Sequence, residues 1–403
     1  MTGVLEGIRV VELAQEIQGP LATLLLSDLG ADVVKVENCE AGDLARRTTV
    51  GAIGGPGTPN ADFHHYFFML NRGKRSLAVD LKNADGKQVL ERLLSGADVL
   101  LTNFRPGVLD RLGFGYEALH EKFPRLVYAV ASSWGPVGPW AKKPSRDMLA
   151  QAASGLMAKT GREGDPPLAA GMVVADYSGG WAAFSGVLAA LFARERTGRG
   201  QRVDVSMFGT MLALQSWEIL QTSLTGRENR RADRGHQFLH GAWGAFRTSD
   251  GWIAIAGIED HLWPRFCAII GRDDLAADPR YDRDHRNFHG TEVQALLDEA
   301  LRHRTTAEWL REFEAADLFV ARVAEYADVL ASEQARANGY IRSAEQPGVG
   351  SFQVVGTPIG LSESPVVYDD RVPGHGEHTD EILGEIGMPS EAIQKLRKSG
   401  VVR

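Results

Sequence analysis

An aspartate stands among apolar neighbours in Gly171-Met-Val-Val-Ala-Asp176-Tyr-Ser-Gly-Gly180, between the flexible segment Gly161–Pro167 and the almost wholly apolar run Trp181–Ala193. A carboxylate at the head of a buried helix loses solvation, a cost that helix N-terminal amides offset or that chemistry exploits. Two readings of Asp176 follow. Asp is a preferred N-cap residue. From this stretch alone capping is the commoner role, and the other reading is a nucleophile held near amides that also steady a developing oxyanion.

Other residues carry chemistry by type and place. Lys74, Arg75, Lys82, Arg105 and Arg111 fall at or near the ends of expected strands, so several cations could converge on one anionic ligand. Taken singly, each reads first as ordinary solvated charge. Glu37 ends a strand where a dinucleotide fold places its ribose-binding acid. The preceding loop, Ala14-Gln-Glu-Ile-Gln-Gly-Pro20, lacks the GxGxxG that lets a pyrophosphate approach the backbone. His375-x-x-His378 has metal-ligand spacing, but nothing nearby completes a four-ligand set, and no metal is expected.

The elements that must position these groups alternate. Ile8–Leu13 reads as a strand, Pro20–Leu29 as a helix closed by Gly30, and Asp32–Glu37 as a strand. A Gly/Pro-rich loop, Gly51–Pro59, leads to the basic turn before strand Leu77–Asp80. A helix over 84–95 and strands Val99–Asn103, Leu126–Ala131 and Arg202–Ser206 continue the pattern. Short β-branched runs alternating with helices predict an α/β fold with a parallel sheet. A helical pattern over 207–225 runs into a charged stretch, 226–235, that reads as a linker. Beyond it, Ala245–Ala256 is a hairpin turning at Asp250-Gly251. Helices are expected over 260–271, 291–302 and 307–316, the last opened by the capping box Thr305-x-x-Glu308. A helix over 331–341, an extended proline-rich segment over 346–373 and a helix over 379–386 close the chain.

At 403 residues the chain has room for two or more domains. Apolar residues at 44% and charged residues at 24% are ordinary for a globular protein. A net charge of −8 argues against nucleic acid as a partner. Cys39 and Cys267 are too few for a disulfide scaffold, which fits a reducing cytoplasm. The run 181–193 falls short of the ~20 residues a membrane-spanning helix needs, and the first residues do not read as a secretory signal. A cytoplasmic protein without a membrane partner is expected.

Several motifs come in a recognisable order: Gly19-Pro20, Leu29-Gly-Ala-Asp-Val-Val-Lys-Val-Glu37, Asn71-Arg-Gly-Lys-Arg-Ser76, Asn103-Phe-Arg-Pro-Gly107, Leu109-Asp-Arg-Leu-Gly113 and Ala175-Asp-Tyr-Ser-Gly-Gly180. Thr197–Asp204, Asp250-Gly251 and Pro373–Thr379 extend them nearly end to end. Each piece is weak alone, but the ordered set closely resembles the family III CoA-transferases, which include the formyl-CoA, carnitine and bile-acid enzymes. The resemblance implies a large Rossmann-like domain built from both ends of the chain, a smaller α+β domain, and an interlocked homodimer. Mapped onto this sequence, the large domain takes 1–205 and 374–403, a linker helix 206–226, the small domain 227–330 and a returning linker 331–373.

For the site, the resemblance places the family's nucleophilic aspartate at Asp176. It places CoA contacts at Gln18, Val79, Lys82, Asn103, Phe104, Arg105 and Arg111. CoA enters as acyl-CoA substrate, and no permanently bound cofactor is implied. Asn38 and Cys39 stand where the formyl-CoA enzyme has two arginines. Where the formyl-CoA and oxalate enzymes have a glycine run, this chain reads Gly235-His-Gln-Phe-Leu-His-Gly-Ala-Trp-Gly244, a bulkier lid suited to an acid larger or less polar than oxalate. Related racemases have a Gly-His-Asp element that supplies a second base, and the matching residues here are Ser145-Arg-Asp147. Arg146 cannot serve as a base near neutrality but can bind a carboxylate. A CoA-transferase is therefore expected. The alternatives are a 2-methylacyl-CoA racemase or CoA isomerase, which needs His236 or His240 as a base, and a non-catalytic CoA-binding protein.

Overall fold

The structure is a computed structural model that describes residues 3–47, 64–239, 241–282, 285–286, 289–347 and 349–403. The Gly/Pro-rich loop 51–59 and His240 lie outside the described residues. The chain divides into two compact units: Met1–Ser154 with Gly171–Ser216 and Glu333–Arg403, and Gly155–Ala170 with Trp217–Ser332.

The first unit is built on a six-stranded sheet of β1 (Arg9–Leu13), β2 (Asp32–Glu37), β3 (Arg75–Ala78), β4 (Val99–Thr102), β5 (Val127–Ser132) and β6 (Arg202–Ser206). All five pairings are parallel, in the order β3-β2-β1-β4-β5-β6. The strand order reverses between β1 and β4. In an open parallel sheet the crevice beyond the carboxyl ends of such a pair is where ligands bind.

Successive side chains on each strand serve opposite faces. Val10, Val33, Val99 and Val127 pack beneath α1 (Gln18–Asp28) and a long helix, Val174–Thr197, through Leu21, Leu25, Ala183, Phe184 and Val187. On the other face Val11, Val34, Leu77 and Leu100 meet Val89, Leu90 and Leu93 of Ala84–Ser95, together with Ile382, Leu383, Ile393 and Leu396 near the end of the chain. The last residues lie beside β3, where Val401 O accepts from Asp80 N at 2.8 Å and Val79 bridges Val402. Both helices over the first face must come close to one another, and Gly179-Gly180 permits it. A Cβ on Gly180 would sit 2.8 Å from Leu21 Cδ2 and 2.9 Å from Gln18 O.

A buried ionic network ties the three strands β3, β2 and β1 together. Glu12 on β1 accepts from Lys35 Nζ (2.6 Å), Lys74 Nζ (2.8 Å) and Thr23 Oγ1 (2.6 Å). Lys35 also reaches Ala14 O (3.0 Å) and the Asp43 carboxylate (2.6 Å), and Lys74 reaches Pro20 O (2.9 Å) and Asn71 Oδ1 (3.0 Å). Burial pushes the Glu12 carboxyl up, but the two ammonium groups outweigh it and hold Glu12 below its ordinary range. Burial likewise opposes charge on Lys35, which Asp43, Glu12 and Glu37 override. Beside the network, burial raises Glu37, but Arg46 (2.7 and 2.8 Å), Lys35 and Ser76 (2.6 Å) bring it down to about 2.

These contacts correct one expectation. Lys74 and Arg75 lie at the amino end of β3, not at the ligand-facing end. Lys74 is fully committed inside the network, and Arg75 pairs with Asp32, Glu381 and Glu385. Near the end of the chain the helix covers only Glu333–Ala337, because Gly339 at φ +70° turns the backbone out of helical geometry. The segment then forms an antiparallel hairpin, Ile341–Gln346 with Gly350–Val355, where a helix tail and extended chain were expected.

The second unit has a three-stranded antiparallel sheet, Trp243–Arg247, Trp252–Ala256 and Val320–Arg322, turning at Asp250-Gly251. Helices Trp263–Ile269, Gly290–Leu301 and Thr306–Glu314 pack on it, and the capping box at Thr305 and Glu308 is formed. Among the described residues no helix is long and apolar enough to cross a membrane.

Glu12→Gln removes the shared counter-charge of two buried lysines and should lower unfolding free energy by about 3–5 kcal/mol, read from urea denaturation. The Glu37 carboxylate, lowered from its ordinary 4.5 to about 2, contributes stability that is present above pH 4.5 and lost as pH falls through 2. Glu37→Gln should therefore be less stable than wild type at neutral pH and show a flatter decline in melting temperature below pH 4.5.

Candidate active site

The reversal point brings two loops together. After β1 the chain runs through Ala14, Gln15, Glu16 and Ile17 into α1. After β4 come Asn103, Phe104 and Arg105. Asn103 clamps the first loop by its backbone, accepting from Gln15 N at 3.0 Å and donating to Gln15 O at 2.6 Å. Glu16 sits at φ +62°, a left-handed conformation unusual for a residue with a side chain, and its N–H donates to Asp43 Oδ1 at 3.3 Å. Asp43 is itself held by Lys35, so the buried network fixes the loop.

The aspartate singled out in sequence lies on the third residue of the long helix, α2 (Val174–Thr197), whose N-cap is Val173. Asp176 is therefore not the cap. That task falls to a carboxylate from another element: Asp147 Oδ1 accepts from Ala175 N at 2.7 Å and from Asp176 N at 3.1 Å. Asp147 opens helix Asp147–Ala153, and Gln151 Nε2 donates to its second oxygen at 2.5 Å. Among the described residues no hydrogen bond or ion pair engages the Asp176 side chain. Burial raises its pKa to about 7, with further push from Asp147 and then Glu16, and Arg146 opposes. Tyr66 shares this environment; burial, then Glu16, Asp176 and Asp43, hold its hydroxyl above its ordinary value, so it remains a hydrogen-bond donor.

The remaining expected residues are distributed as follows. Gln18 is buried at the start of α1, its amide 3.4 Å from Ser132 O and packed against Gly179. Val79 is buried on the bridge to Val402. Lys82 is exposed beyond the carboxyl end of β3, and Arg105 and Arg111 are exposed beyond β4. Phe104 is half-buried against the second face of the sheet. Arg146 is exposed, 3.7 Å from Glu16. His236, in the second unit, pairs with Glu218 at 2.6 Å and stacks on Trp217. His375 and His378 hold backbone: His375 Nε2 lies 2.8 Å from Asn38 O, and His378 Nδ1 accepts from Ser76 N at 3.2 Å. Glu37 is consumed by Arg46 and Ser76. Among the described residues no cluster of His, Cys, Asp and Glu could hold a metal.

Sequence reasoning missed Asp147 as a cap, and with it Glu16 and Tyr66. A cap supplied from 28 residues away leaves no local spacing to find, whereas the polar Gln-Glu interruption after an apolar strand was a signal available for Glu16.

Chemically, the arrangement offers a carboxyl with a pKa raised to about 7 in the first turn of a helix whose leading amides are already paired, leaving the helix dipole to favour developing negative charge. Asp147→Asn keeps the accepting oxygen but removes the nearer anion. The Asp176 pKa should then fall from about 7, shifting the pH midpoint of carboxyl-directed labelling at Asp176 to lower pH.

Comparison with known proteins agrees with this frame. Residues 5–379 match the model of CoA-transferase family III. The chain is 36% identical to the acetyl-CoA:oxalate CoA-transferase of Acetobacter aceti, over 91% of this chain and 90% of that one. It is 30% identical to the succinyl-CoA:glutarate CoA-transferase of Homo sapiens, over 99% and 90% respectively. A CaiB/BaiF family protein from Brucella suis superposes with a TM-score of 0.84 at 31% identity, covering 96% of this chain and all of that one. With this fold, and a match running through nearly its whole length, the chain belongs to CoA-transferase family III.

Proposed function

We propose that this enzyme moves CoA from an acyl-CoA to a carboxylic acid, with Asp176 as nucleophile. The observation that carries this reading is the division of labour at the head of α2. Asp147 satisfies the helix amides, so the Asp176 carboxylate is not needed as a cap. An Asp176 oxygen attacks the thioester carbonyl, the C–S bond breaks, and CoA thiolate leaves behind a mixed anhydride. The thiolate then attacks the Asp176 carbonyl, releasing the donor acid as carboxylate and leaving an aspartyl-CoA thioester. An acceptor carboxylate attacks that thioester and expels thiolate, which takes the acyl group from the new anhydride and restores Asp176. No proton needs to move and no thioester energy is lost to water.

For CoA itself, Lys82, Arg105 and Arg111, exposed beyond the strand ends, suit the phosphates, and Phe104 suits the adenine. Gln18, Val79 and Asn103 complete the set by shaping the crevice from the backbone side. The acceptor is a carboxylic acid larger or less polar than oxalate, in keeping with the bulkier sequence Gly235–Gly244 where the formyl-CoA and oxalate enzymes have a glycine run. We also propose a homodimer. Leu214, Trp217, Leu220 and Leu224 are large, apolar and exposed on consecutive helices, Met207–Leu214 and Ser216–Thr225.

Incubation with a panel of acyl-CoAs followed by hydroxylamine should place a hydroxamate on the peptide containing Asp176. Asp176→Ala should abolish exchange while CoA binding persists; solvent deuterium at the α-carbon of a 2-methylacyl-CoA without any adduct would replace the transferase with a racemase. Because the raised pKa means that ionised Asp176 costs the fold stability as pH rises from 3.8 through 7, Asp176→Asn should melt above wild type at pH 8, and the gap should close near pH 4.

A further inference from the structure

Helix Asp147–Ala153 buries its polar side. The inward face is Asp147, Ala150 and Gln151, continued by Ser154, while Met148 and Leu149 are 59% and 48% exposed. Positions at this spacing form one helical stripe, and in a surface helix the inward stripe is normally apolar. A polar stripe is buried only where its groups find partners, because an unpaired one loses its hydration without compensation.

The partners lie around the head of α2. Asp147 and Gln151 stand one turn apart and so face the same way. Asp147 Oδ1 accepts from Ala175 N and Asp176 N, at 2.7 and 3.1 Å. Its second oxygen accepts from Gln151 Nε2 at 2.5 Å, and the same nitrogen lies 3.4 Å from Met172 O in the lead-in to α2. Gln151 is 1% exposed, and Ser154 Oγ donates to its backbone oxygen at 3.1 Å. A primary amide has two N–H donors and an ionised carboxylate only accepts, so Gln151 supplies what Asp147 lacks. One buried amide thus joins the cap to the segment that enters the helix.

Resting on the transferase reading above, we propose that Gln151 is a positioning residue for the acyl-transfer steps: by donating to the second oxygen of Asp147 it locks that cap onto the amides of Ala175 and Asp176, and so fixes the backbone from which Asp176 reacts. The need is specific to this chemistry. Asp176 is first a nucleophile and then, as anhydride and thioester, an electrophile, so its carboxyl carbon has to return to one place through every step. A misplacement of about 1 Å costs on the order of 10²-fold in rate. Were Asp147 free to rotate away, the unpaired amides of the first turn would draw the Asp176 carboxylate toward themselves.

The test follows the rate of hydroxamate formation at Asp176, with whichever acyl-CoA labels it, relative to wild type at each pH. The charged and titratable groups around the site, Asp176, Glu16, Arg146 and Tyr66, are common to all the variants. Gln151→Met keeps the length of the side chain and removes both donors. It should slow labelling about tenfold or more at every pH while leaving the KM for the acyl-CoA in place. Gln151→Glu can donate to Asp147 only while the two acids share a proton, since adjacent carboxylates resist double ionisation. Its relative rate should therefore approach wild type at low pH and fall as pH rises. Combining Gln151→Glu with Asp147→Asn exchanges donor and acceptor: the new amide keeps an oxygen on the helix amides and turns its N–H groups to the new carboxylate. This double variant should recover most of the rate lost at high pH. Equal losses in the methionine and glutamate variants at every pH, no loss in either, a rise in KM in place of the slower labelling, or no recovery in the double variant overturns the proposal. Should Gln151→Met fail to fold, the comparison of Gln151→Glu with the double variant decides the matter alone. A wild-type enzyme that never labels at Asp176 counts against the transferase reading instead.

Discussion

The Glu12 carboxylate, buried on β1 between Lys35 and Lys74, is the interaction on which the site depends. Three charged groups without solvent are costly, and removing any one leaves the others uncompensated. Their ordering is therefore strict, and it propagates. Lys74 joins the amino end of β3 to β1 and to the start of α1 through Pro20 O. Lys35 joins β2 to Asp43, and Asp43 joins the network to the Glu16 backbone. The result is an unbroken chain of short polar contacts from the sheet interior to the loop at the point of strand reversal. Apolar packing alone would place that loop, but it would not hold one residue in a left-handed conformation.

The same economy governs the carboxylates nearer the crevice. Helix α2 has amides to satisfy at its head and an acid in its first turn, and the simple solution would have been for Asp176 to cap its own helix. The protein brings Asp147 from another helix instead. Burial, and then the nearby Asp147, raise the Asp176 pKa to about 7, so this solution costs stability at neutral pH. A site that sacrifices stability in this way departs from local consistency where function is expected to demand it. Gly179-Gly180 shows the same pressure sterically, since side chains there would force α1 and α2 apart.

The sheet was legible in the sequence because every strand but Arg75–Ala78 is a short run carrying β-branched residues. Asp32–Glu37 and Arg202–Ser206 were read to the residue. Helices were legible where an amphipathic stripe or a cap marked them, as in Ala84–Ser95 and the Thr305 capping box. Boundaries failed where the deciding contact was distant. Helix α2 starts at Val174, seven residues before the apolar run that announced it, because Asp147 completes its first turn. Lys74 and Arg75 read as ligand-facing cations because sequence does not distinguish a lysine in solvent from one buried against a glutamate 62 residues away. The hairpin over 341–355 was missed because its alternation is interrupted by Gln346, Pro347 and Gly348, which read as the start of a linker. Asp176 was legible as a candidate and ambiguous as a role, and the ambiguity was real, since only the placement of Asp147 shows that Asp176 is not the cap.

The charges around Asp176 also bear on the order of events in the proposed cycle. In the resting site Glu16 and Asp147 are negative, Asp176 is partly ionised, and Arg146 is the opposing cation, so a free acid approaching as an anion meets net repulsion. An acyl-CoA presents a neutral thioester to the same point and is not penalised there. Once Asp176 becomes a thioester it carries no charge, and the balance around Arg146 shifts by one unit toward the positive. The acceptor carboxylate then enters a site that has become more favourable to it at the stage when it is needed. At an effective dielectric near 20, a unit charge at 4 Å is worth about 4 kcal/mol, more than enough to order two substrates that would otherwise compete. In the proposed cycle the covalent step thus acts as an electrostatic gate as well as a store of thioester energy.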